Sequence, residues 1–412
     1  MRTVSTLCVV LFAGSAHADV LHHWTQLNDG RTQSFRAIID DSTCPAIVID
    51  GEQHAMNVRA GVMPDFPNLV CEFTTDASVA SAHVNTLSFP IRPLKADKML
   101  VIGDTGCRLK DGSPVQACND PEEWPFETVS ASIADQEADF AIHVGDYYYR
   151  ETECLDPAVC GETYGDTWRT WEADFFAPGQ AMLSTHPFVF VRGNHENCNR
   201  AWLGFDRYLA AGPMRDPLMC DNYQAPFVVE FDDLQLPVID SSTRDRDTYT
   251  WDRLRAMQEQ FTDILPRLDR ETLVLTHTPL WGYGSKKRDS NELETLESIQ
   301  REAFADMLPR LVSGVVAGDL HFAQLVSTPG NPVQITFGNG GVWLYTTPEG
   351  RVDGLPVGHG VTGDVFGYNQ FGFGMIERKQ DGLDVTFFDQ NGEAAANCAA
   401  PASVETCVPE GV

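Results

Sequence analysis

The stretch Phe190-Val191-Arg192-Gly193-Asn194-His195-Glu196 ends an apolar run that begins at Pro187. Such a run predicts a buried strand, and Gly193 ends it just before an amide, an imidazole and a carboxylate. In α/β folds, ligands bind at the carboxyl ends of the strands. The stretch therefore predicts a strand that delivers polar side chains to a functional site.

Four other apolar runs end in polar side chains of the same kind, three of them after a glycine. The residues at these ends are Asp104, Asp146, Tyr149, His277, Asp319 and His321. Together with Asn194, they combine carboxylate, imidazole and amide groups, a set that suits two first-row metals of intermediate hardness. Two such metals can hold a hydroxide between them and clamp a phosphoryl group during in-line displacement. The pattern therefore favours phosphate ester hydrolysis.

The order of these strand ends resembles the first four motifs of the calcineurin-like metallophosphoesterases, and most closely those of the purple acid phosphatase branch. The motifs are Gly103-Asp104-Thr105-Gly106, Gly145-Asp146-Tyr147-Tyr148-Tyr149, Gly193-Asn194-His195-Glu196 and Val274-Leu275-Thr276-His277. The resemblance covers residues 98–389. It implies an α/β fold, a four-layer αββα sandwich with a dinuclear metal site, and in similar proteins a β domain precedes it.

The resemblance also implies a role for each residue at the site. Asp104, Tyr149 and His321 would bind the first metal, Asn194 and His277 the second, and Asp146 would bridge them. His195 would lie just outside the metals and either stabilise the transition state or protonate the leaving oxygen. Most of the superfamily has a metal-binding histidine at the position of Gly106, so Tyr149 would take its place. A phenolate ligand favours ferric iron and a coloured protein, and we expect two metal ions, iron with manganese or zinc.

The fifth motif departs from the family pattern, because Gly318-Asp319-Leu320-His321 stands where the family has Gly-His-x-His. If Asp319 binds the second metal, it replaces a nitrogen ligand with a harder, charged oxygen. This change favours Mn²⁺, Fe²⁺ or Mg²⁺ over Zn²⁺, or weaker occupancy.

Three functions follow as hypotheses. The first is a secreted metal-dependent phosphatase that hydrolyses small phosphomonoesters by attack of a metal-bridging hydroxide, with Asp146 and His195 as its catalytic residues. The second is a phosphodiesterase or nucleotidase with the same dinuclear site. The third is a degenerate, non-catalytic protein that binds a phosphate ligand because Asp319 has disabled the second metal site.

The chain of 412 residues has a net charge of −30 and a pI of about 4.5. Nucleic acids and anionic membrane surfaces bind through basic patches, so this composition argues against both as partners. Residues 1–18 combine Arg2, a short apolar segment and Ala16-His17-Ala18, which is typical of a signal peptide cleaved near Ala18. We therefore expect a secreted or periplasmic protein. Its oligomeric state does not follow from the sequence.

Ten cysteines remain after Cys8 of the export segment is set aside, an even number that favours disulfides in a secreted chain. Proximity suggests Cys44–Cys71, Cys107–Cys118, Cys154–Cys160, Cys198–Cys220 and Cys398–Cys407. Three of these pairs lie just after polar strand ends and would stiffen the site, although general stapling of long loops explains them equally well. We expect a β domain over residues 19–95, the catalytic domain over 96–392 and a disulfide-closed tail over 393–412. Helices are expected over 127–138, 251–265 and 293–299.

Overall fold

A computed structural model describes residues 19–110, 114–214, 219–243, 250–285, 287, 288, 290, 292–296 and 298–410. The expected signal peptide, residues 1–18, lies outside this part of the chain. The strands are numbered β1 to β25 in chain order: Val20–Leu27, Gln33–Ile39, Ala46–Ile49, Glu52–Ala55, Asn57–Ala60, Leu69–Thr75, Ala82–Val84, Leu87–Ser88, Lys98–Ile102, Phe140–His143, Phe188–Phe190, Phe227–Glu230, Gln235–Ile239, Thr272–Thr276, Tyr283–Gly284, Glu294–Thr295, Val312–Ala317, Ala323–Ser327, Val333–Phe337, Gly350–Gly358, Val361–Tyr368, Gly372–Lys379, Gly382–Asp389, Ala394–Cys398 and Cys407–Pro409.

Among the residues that the structure describes, the α-helices, α1 to α7, are fewer than the strands. They span Phe126–Ala134, Pro157–Cys160, Trp168–Trp171, Ala177–Thr185, Trp202–Tyr208, Trp251–Ile264 and Ile299–Phe304. A π-helical segment, Glu172–Phe176, joins α3 to α4. Single 3₁₀ turns cover Asn194–Glu196, Leu265–Arg267, Ala305–Met307 and Val404–Thr406.

Two large sheets contain most of the strands. Sheet I has the order β25-β24-β23-β22-β9-β10-β11-β1-β2-β6-β5, and sheet II has the order β12-β13-β14-β17-β19-β18-β21-β20. The strands that lead to the polar ends are parallel neighbours: β9, β10 and β11 in sheet I, and β14 and β17 in sheet II. Because parallel neighbours finish at the same edge of a sheet, their polar ends come together.

The two sheets face each other across an apolar core. Val101 and Ile142 of sheet I and Leu275 and Val316 of sheet II are fully buried in one cluster. Helices α1, α4 and α5 pack on the outer face of sheet I through a second cluster that includes Phe126. Helices α6 and α7 cover sheet II through a third. These layers form the expected four-layer αββα sandwich, and the α/β fold class is confirmed.

The β-rich segment before residue 95 forms β1 to β8. Strands β1, β2, β6 and β5 continue sheet I beyond β11, and Gln26 of β1 lies opposite Phe188 of β11. The separate sheet β4-β3-β7-β8 packs against β2 through Phe35, Ile47 and Val84. The small β domain is therefore joined edge to edge with the sheet that leads to the site.

One of the helix predictions is wrong over part of its length. Helices α1 and α6 occupy most of the first two expected segments. In the third, however, Glu294–Thr295 pairs as strand β16 with Tyr283–Gly284, and α7 begins only at Ile299. Leu296 packs between them against Leu320 and Phe322. This contact with distant residues outweighs the helical spacing of the apolar side chains, which cannot by itself distinguish a short strand from a helix.

The five expected disulfides are all present, namely Cys44–Cys71, Cys107–Cys118, Cys154–Cys160, Cys198–Cys220 and Cys398–Cys407. The C-terminal segment forms β24 and β25 at the edge of sheet I, and the last of these disulfides closes it. None of the helices that the structure describes has the length and apolarity needed to cross a membrane.

Candidate metal centre

The five polar strand ends meet between the facing sheets. β9, β10 and β17 each lead to an aspartate that directly follows a glycine, and Asp104, Asp146 and Asp319 have φ angles of 57°, 60° and 65°. Residues other than glycine rarely adopt this left-handed backbone conformation, and where they do, the residue is often at a functional site. Its repetition at three strand ends indicates that the local backbone is arranged to bring these carboxylates together.

Asp104, Asp146 and His277 form the buried core of the cluster. Each offers one ligand atom, and these atoms all lie within 4.8 Å of one another. His277 Nε2 is 3.3 Å from Asp146 Oδ2. Two carboxylates and an imidazole at this spacing suit a first-row metal ion.

Two histidines at the site have the same hydrogen-bonding arrangement. Nδ1 of His277 lies 2.7 Å from the carbonyl oxygen of Val144, and Nδ1 of His321 lies 3.1 Å from that of Trp343. A carbonyl oxygen only accepts, so each Nδ1 carries a proton and Nε2 is directed at the carboxylates. This is how metal-binding histidines are usually oriented, and the residues therefore fit a bound metal.

Tyr149 lies among the same groups. Its hydroxyl is 2.9 Å from Asp104 Oδ1, 2.7 Å from Asp146 Oδ2 and 3.2 Å from His321 Nε2. Gly106 allows this position, because a Cβ there would lie 2.9 Å from the Tyr149 backbone nitrogen and 3.0 Å from its ring carbon Cδ2. Glycine at position 106 and the inward position of Tyr149 are thus sterically linked.

The remaining expected ligands border this core. Asn194 Oδ1 is 3.2 Å from His277 Nε2. Hydrogen bonds within the protein favour the opposite orientation of this side-chain amide, in which its nitrogen lies 3.2 Å from Asp319 Oδ1. A bound cation favours the orientation that presents oxygen. Asp319 Oδ1 lies 3.8 Å from His277 Nε2, and His321 Nε2 lies 3.7 Å from Asp104 Oδ1. All seven expected ligand residues therefore share one cluster, and their division between two metals remains a prediction.

The electrostatics of the cluster also favour a cation. Burial acts to lower the pKa of His277, but the charge of Asp146 outweighs it and raises the pKa to about 9. Burial raises the pKa of Asp104 well above its usual value, and the charge of Asp146 adds to this. Burial and the charge of Asp104 raise the pKa of Tyr149. Several acidic groups thus lie close together around His277, and a metal ion would satisfy them together.

His195 lies beside the core and is held by two charged residues. Its Nε2 is 3.9 Å from Asp146 Oδ2 and accepts a hydrogen bond from Arg108 Nη1 at 3.1 Å. Its Nδ1 lies 2.8 Å from Glu151 Oε1. Burial lowers the pKa of His195 to about 4. The imidazole is therefore neutral near pH 7, and its Nε2 is occupied by Arg108.

Several buried residues outside the expected set of ligands support the site, and of these only Glu196 belongs to a polar strand end quoted from the sequence. Glu196 accepts hydrogen bonds from the backbone nitrogens of Asp146, Tyr147, Tyr148 and Gly193, and so ties two strand ends together. Asp174 accepts hydrogen bonds from the Tyr149 backbone nitrogen and from the Arg150 side chain. The hydroxyl of Ser241, which follows β13, accepts hydrogen bonds from the backbone nitrogens of His277 and Thr278. The polar end of β13 was the available signal for Ser241.

Comparison with known proteins gives a family and a fold. A family model described as calcineurin-like phosphoesterase matches residues 98–332. Among solved structures, a purple acid phosphatase, PPD1, from yellow lupin (Lupinus luteus) seeds superposes with a TM-score of 0.57 at 13% identity, covering 90% of this chain and 72% of that one. A structure of PhoD superposes with a TM-score of 0.55 at 11% identity, covering 96% and 93%. No curated protein sequence matches the chain significantly.

Proposed function

Because the chain belongs to the calcineurin-like phosphoesterase family, we propose that it is a phosphatase that hydrolyses small phosphomonoesters at a dinuclear metal centre. The observation that supports this most strongly is the convergence of Asp104, Asp146 and His277 within 4.8 Å in a buried cluster. The fixed Nδ1 bonds of His277 and His321 support it further. When bound, iron with manganese or zinc would supply Lewis-acid activation of water and neutralise charge on the phosphoryl group.

The protein residues have separate tasks in this reaction. Water forms a new bond to phosphorus as the ester P–O bond breaks, and the leaving oxygen takes up a proton to become the alcohol. Asp146, the most central carboxylate, would bridge the two metals, and Asn194 and Asp319 would border the second. His195 is neutral and accepts from Arg108, which favours a role in transition-state stabilisation over proton donation to the leaving oxygen.

The substrate proposal is tested by initial rates on p-nitrophenyl phosphate and bis(p-nitrophenyl) phosphate with the metal-loaded protein. We expect the monoester to be the better substrate by kcat/KM. A strong preference for the diester would replace this proposal with the phosphodiesterase alternative.

The non-catalytic alternative depends on Asp319. Its backbone nitrogen donates to Asp104 Oδ2 at 2.9 Å and its side chain faces His277, which supports Asp319 as a ligand that the site accommodates. We therefore expect wild type to turn over, and Asp319→His to turn over as well, with a shift in metal preference towards Zn²⁺. Absence of turnover in both forms under all metal supplements would favour a binding protein.

Export to an oxidising compartment is the second part of the proposal. Five disulfides support it, because such bonds persist outside the reducing cytoplasm. We expect the full-length chain, expressed in bacteria, to be recovered outside the cytoplasm with Asp19 as its first residue. N-terminal sequencing of the recovered protein tests this, and an intact N-terminus on protein that stays in the cytoplasm would contradict it.

A further inference from the structure

Three basic side chains lie beside the metal centre of this acidic protein. Arg108, Lys110 and Arg200 are close enough to influence one another and Glu151 electrostatically, and we call them the cationic rim. Arg200 Nε is 3.2 Å from Glu151 Oε1. Glu151 also faces His195, so this one carboxylate interacts with all three basic side chains and with a histidine.

Arg108 is the member of the rim that contacts His195 and the Tyr149 ring. Its guanidinium carbon lies 5.2 Å from the centre of the Tyr149 ring, and its Nη1 donates to His195. The same His195 Nε2 lies 3.9 Å from Asp146 Oδ2, so His195 links the guanidinium to the central carboxylate. Arg108 is only 9% exposed, and its buried Nε has no hydrogen-bond partner among the residues that the structure describes. A buried guanidinium N–H without a partner is costly, and an anionic ligand would satisfy it.

The backbone around Arg108 is held in place. The Cys107–Cys118 disulfide adjoins it, and its nitrogen donates to the side chain of Gln116 at 3.0 Å. Leu109 pairs in parallel with Arg150 on the next loop. These contacts position the guanidinium before a ligand arrives, which distinguishes it from a mobile surface arginine.

We propose that Arg108 binds a non-bridging oxygen of the substrate phosphate, and that the cationic rim thereby selects dianionic phosphomonoesters over phosphodiesters. This inference rests on the proposed function. A monoester has three non-bridging oxygens and two negative charges, whereas a diester has two such oxygens and one charge. A guanidinium presents paired N–H donors that match phosphate oxygens, so a fixed arginine beside two metals favours the substrate with the additional charged oxygen.

The test compares wild type with Arg108→Met and Arg108→Lys on p-nitrophenyl phosphate and bis(p-nitrophenyl) phosphate. We expect Arg108→Met to lower kcat/KM for the monoester by about 100-fold and that for the diester by less than about 5-fold. Arg108→Lys keeps the charge but loses the paired donors, and should recover part of the monoester activity. Equal losses on the two substrates would overturn the inference, because a purely structural role affects both alike.

Arg207→Met is the matched control. Arg207 is also buried, and its guanidinium packs over the Phe66 ring and donates to the Asn68 carbonyl oxygen of the N-terminal β segment. Its substitution should reduce stability and leave the ratio of monoester to diester kcat/KM unchanged. If Arg108→Met does not fold, Lys110→Met replaces it in the test. A loss of about 5-fold in kcat/KM for the monoester alone supports the inference, and an unchanged ratio of monoester to diester kcat/KM overturns it.

Binding of inorganic phosphate separates this inference from the proposed function. Calorimetry on the metal-loaded proteins should show about 100-fold weaker phosphate binding to Arg108→Met than to wild type. If wild type hydrolyses neither ester, the proposed function fails, and the phosphate measurement still decides the role of Arg108. Equal affinity in the two proteins would overturn that role.

Discussion

Glycines at the strand ends allow the residues of the site to approach one another. Gly145 has a φ angle of +105°, and a Cβ there would lie 2.6 Å from His277 Nδ1 and 2.8 Å from Gly193 Cα. Neither neighbour can give way easily, since the first is a buried imidazole held by Val144 and the second is backbone. The position of His277 beside Asp146 therefore requires glycine at 145.

We predict that Gly145→Ala lowers the free energy of unfolding by about 3 kcal/mol, as a sum of backbone strain and steric overlap. Gly360→Ala is the matched control, because Gly360 also has a positive φ angle, +73°, but nothing within 4 Å of its Cβ position. It should lose only about 1 kcal/mol. Urea unfolding of both variants measures the difference, and equal losses would show that the close approach at Gly145 carries no cost.

A second prediction concerns His195, whose neutral ring accepts from Arg108. We expect His195→Gln to reduce kcat by about 100-fold on both p-nitrophenyl phosphate and a simple alkyl phosphate. Proton donation by His195 would instead make the loss much larger on the alkyl ester, whose leaving oxygen needs the proton more. His186→Gln alters a buried histidine that bonds to Gln136 and should leave both rates unchanged.

The sequence predicts the residues of the buried cluster better than those that position them. Asp104, Asp146 and His277 stand at the ends of apolar runs, and the structure brings them together. Arg108 and Glu151 lie in loops, with no local pattern that separates them from ordinary surface charges. Their placement depends on pairing between Leu109 and Arg150, a contact between loops that becomes visible only in the folded chain.

At the scale of elements, the site depends on loops that disulfides hold. The Cys107–Cys118 bond follows β9, and its partner segment includes Gln116, which bonds to Arg108. The Cys398–Cys407 bond closes a loop of similar length at the far edge of sheet I. A comparison of these two disulfides therefore distinguishes a general effect on stability from a specific effect on the position of site residues.

We predict that replacing Cys107 and Cys118 by serine, or Cys398 and Cys407 by serine, lowers the free energy of unfolding by about 3 kcal/mol in either case. The sequence separations are 11 and 9 residues, so the two loops constrain the unfolded chain to a similar degree. Only the replacement of Cys107 and Cys118 should also weaken inhibition by inorganic phosphate, by about 10-fold. Equal effects on phosphate inhibition would indicate that the Cys107–Cys118 bond does not position Arg108.

Strand predictions succeed where the sequence itself is continuously apolar. β9, β10, β14 and β17 lie in the middle of the two sheets and read as largely apolar runs, as parallel strands buried on both faces do. The strands β12, β13, β18, β20 and β21 of sheet II were not predicted. β12 and β20 are edge strands, while Gln235 of β13 and Gln324 of β18 are buried polar residues that interrupt the apolar pattern, and β16 was mistaken for the start of a helix.

At the scale of the whole molecule, buried arginines tie the N-terminal strands to the part of the chain that holds the site. Arg36 donates to the carbonyl oxygens of Tyr208 and Ala210, and Arg59 donates to those of Asp206 and Arg207. These carbonyls lie at the C-terminal end of α5, where backbone acceptors lack helical partners. Helix α5 follows the loop of Asn194 and His195, so the β domain steadies one wall of the site.

The central claim is that the strand ends form a dinuclear metal centre bridged by Asp146. It is tested most directly by elemental analysis of metals per chain, on exported protein purified without chelator. Asp146→Asn is the test variant. Asp240→Asn is the matched control, since Asp240 is also buried but pairs with Arg192 instead of facing the site.

We predict two metals per chain in wild type and in Asp240→Asn, with iron as one of them, and at most one in Asp146→Asn. One metal or none in wild type, even after supplementation with iron, manganese and zinc, would contradict the account. So would two metals retained in Asp146→Asn, because the bridging role would then belong to another residue.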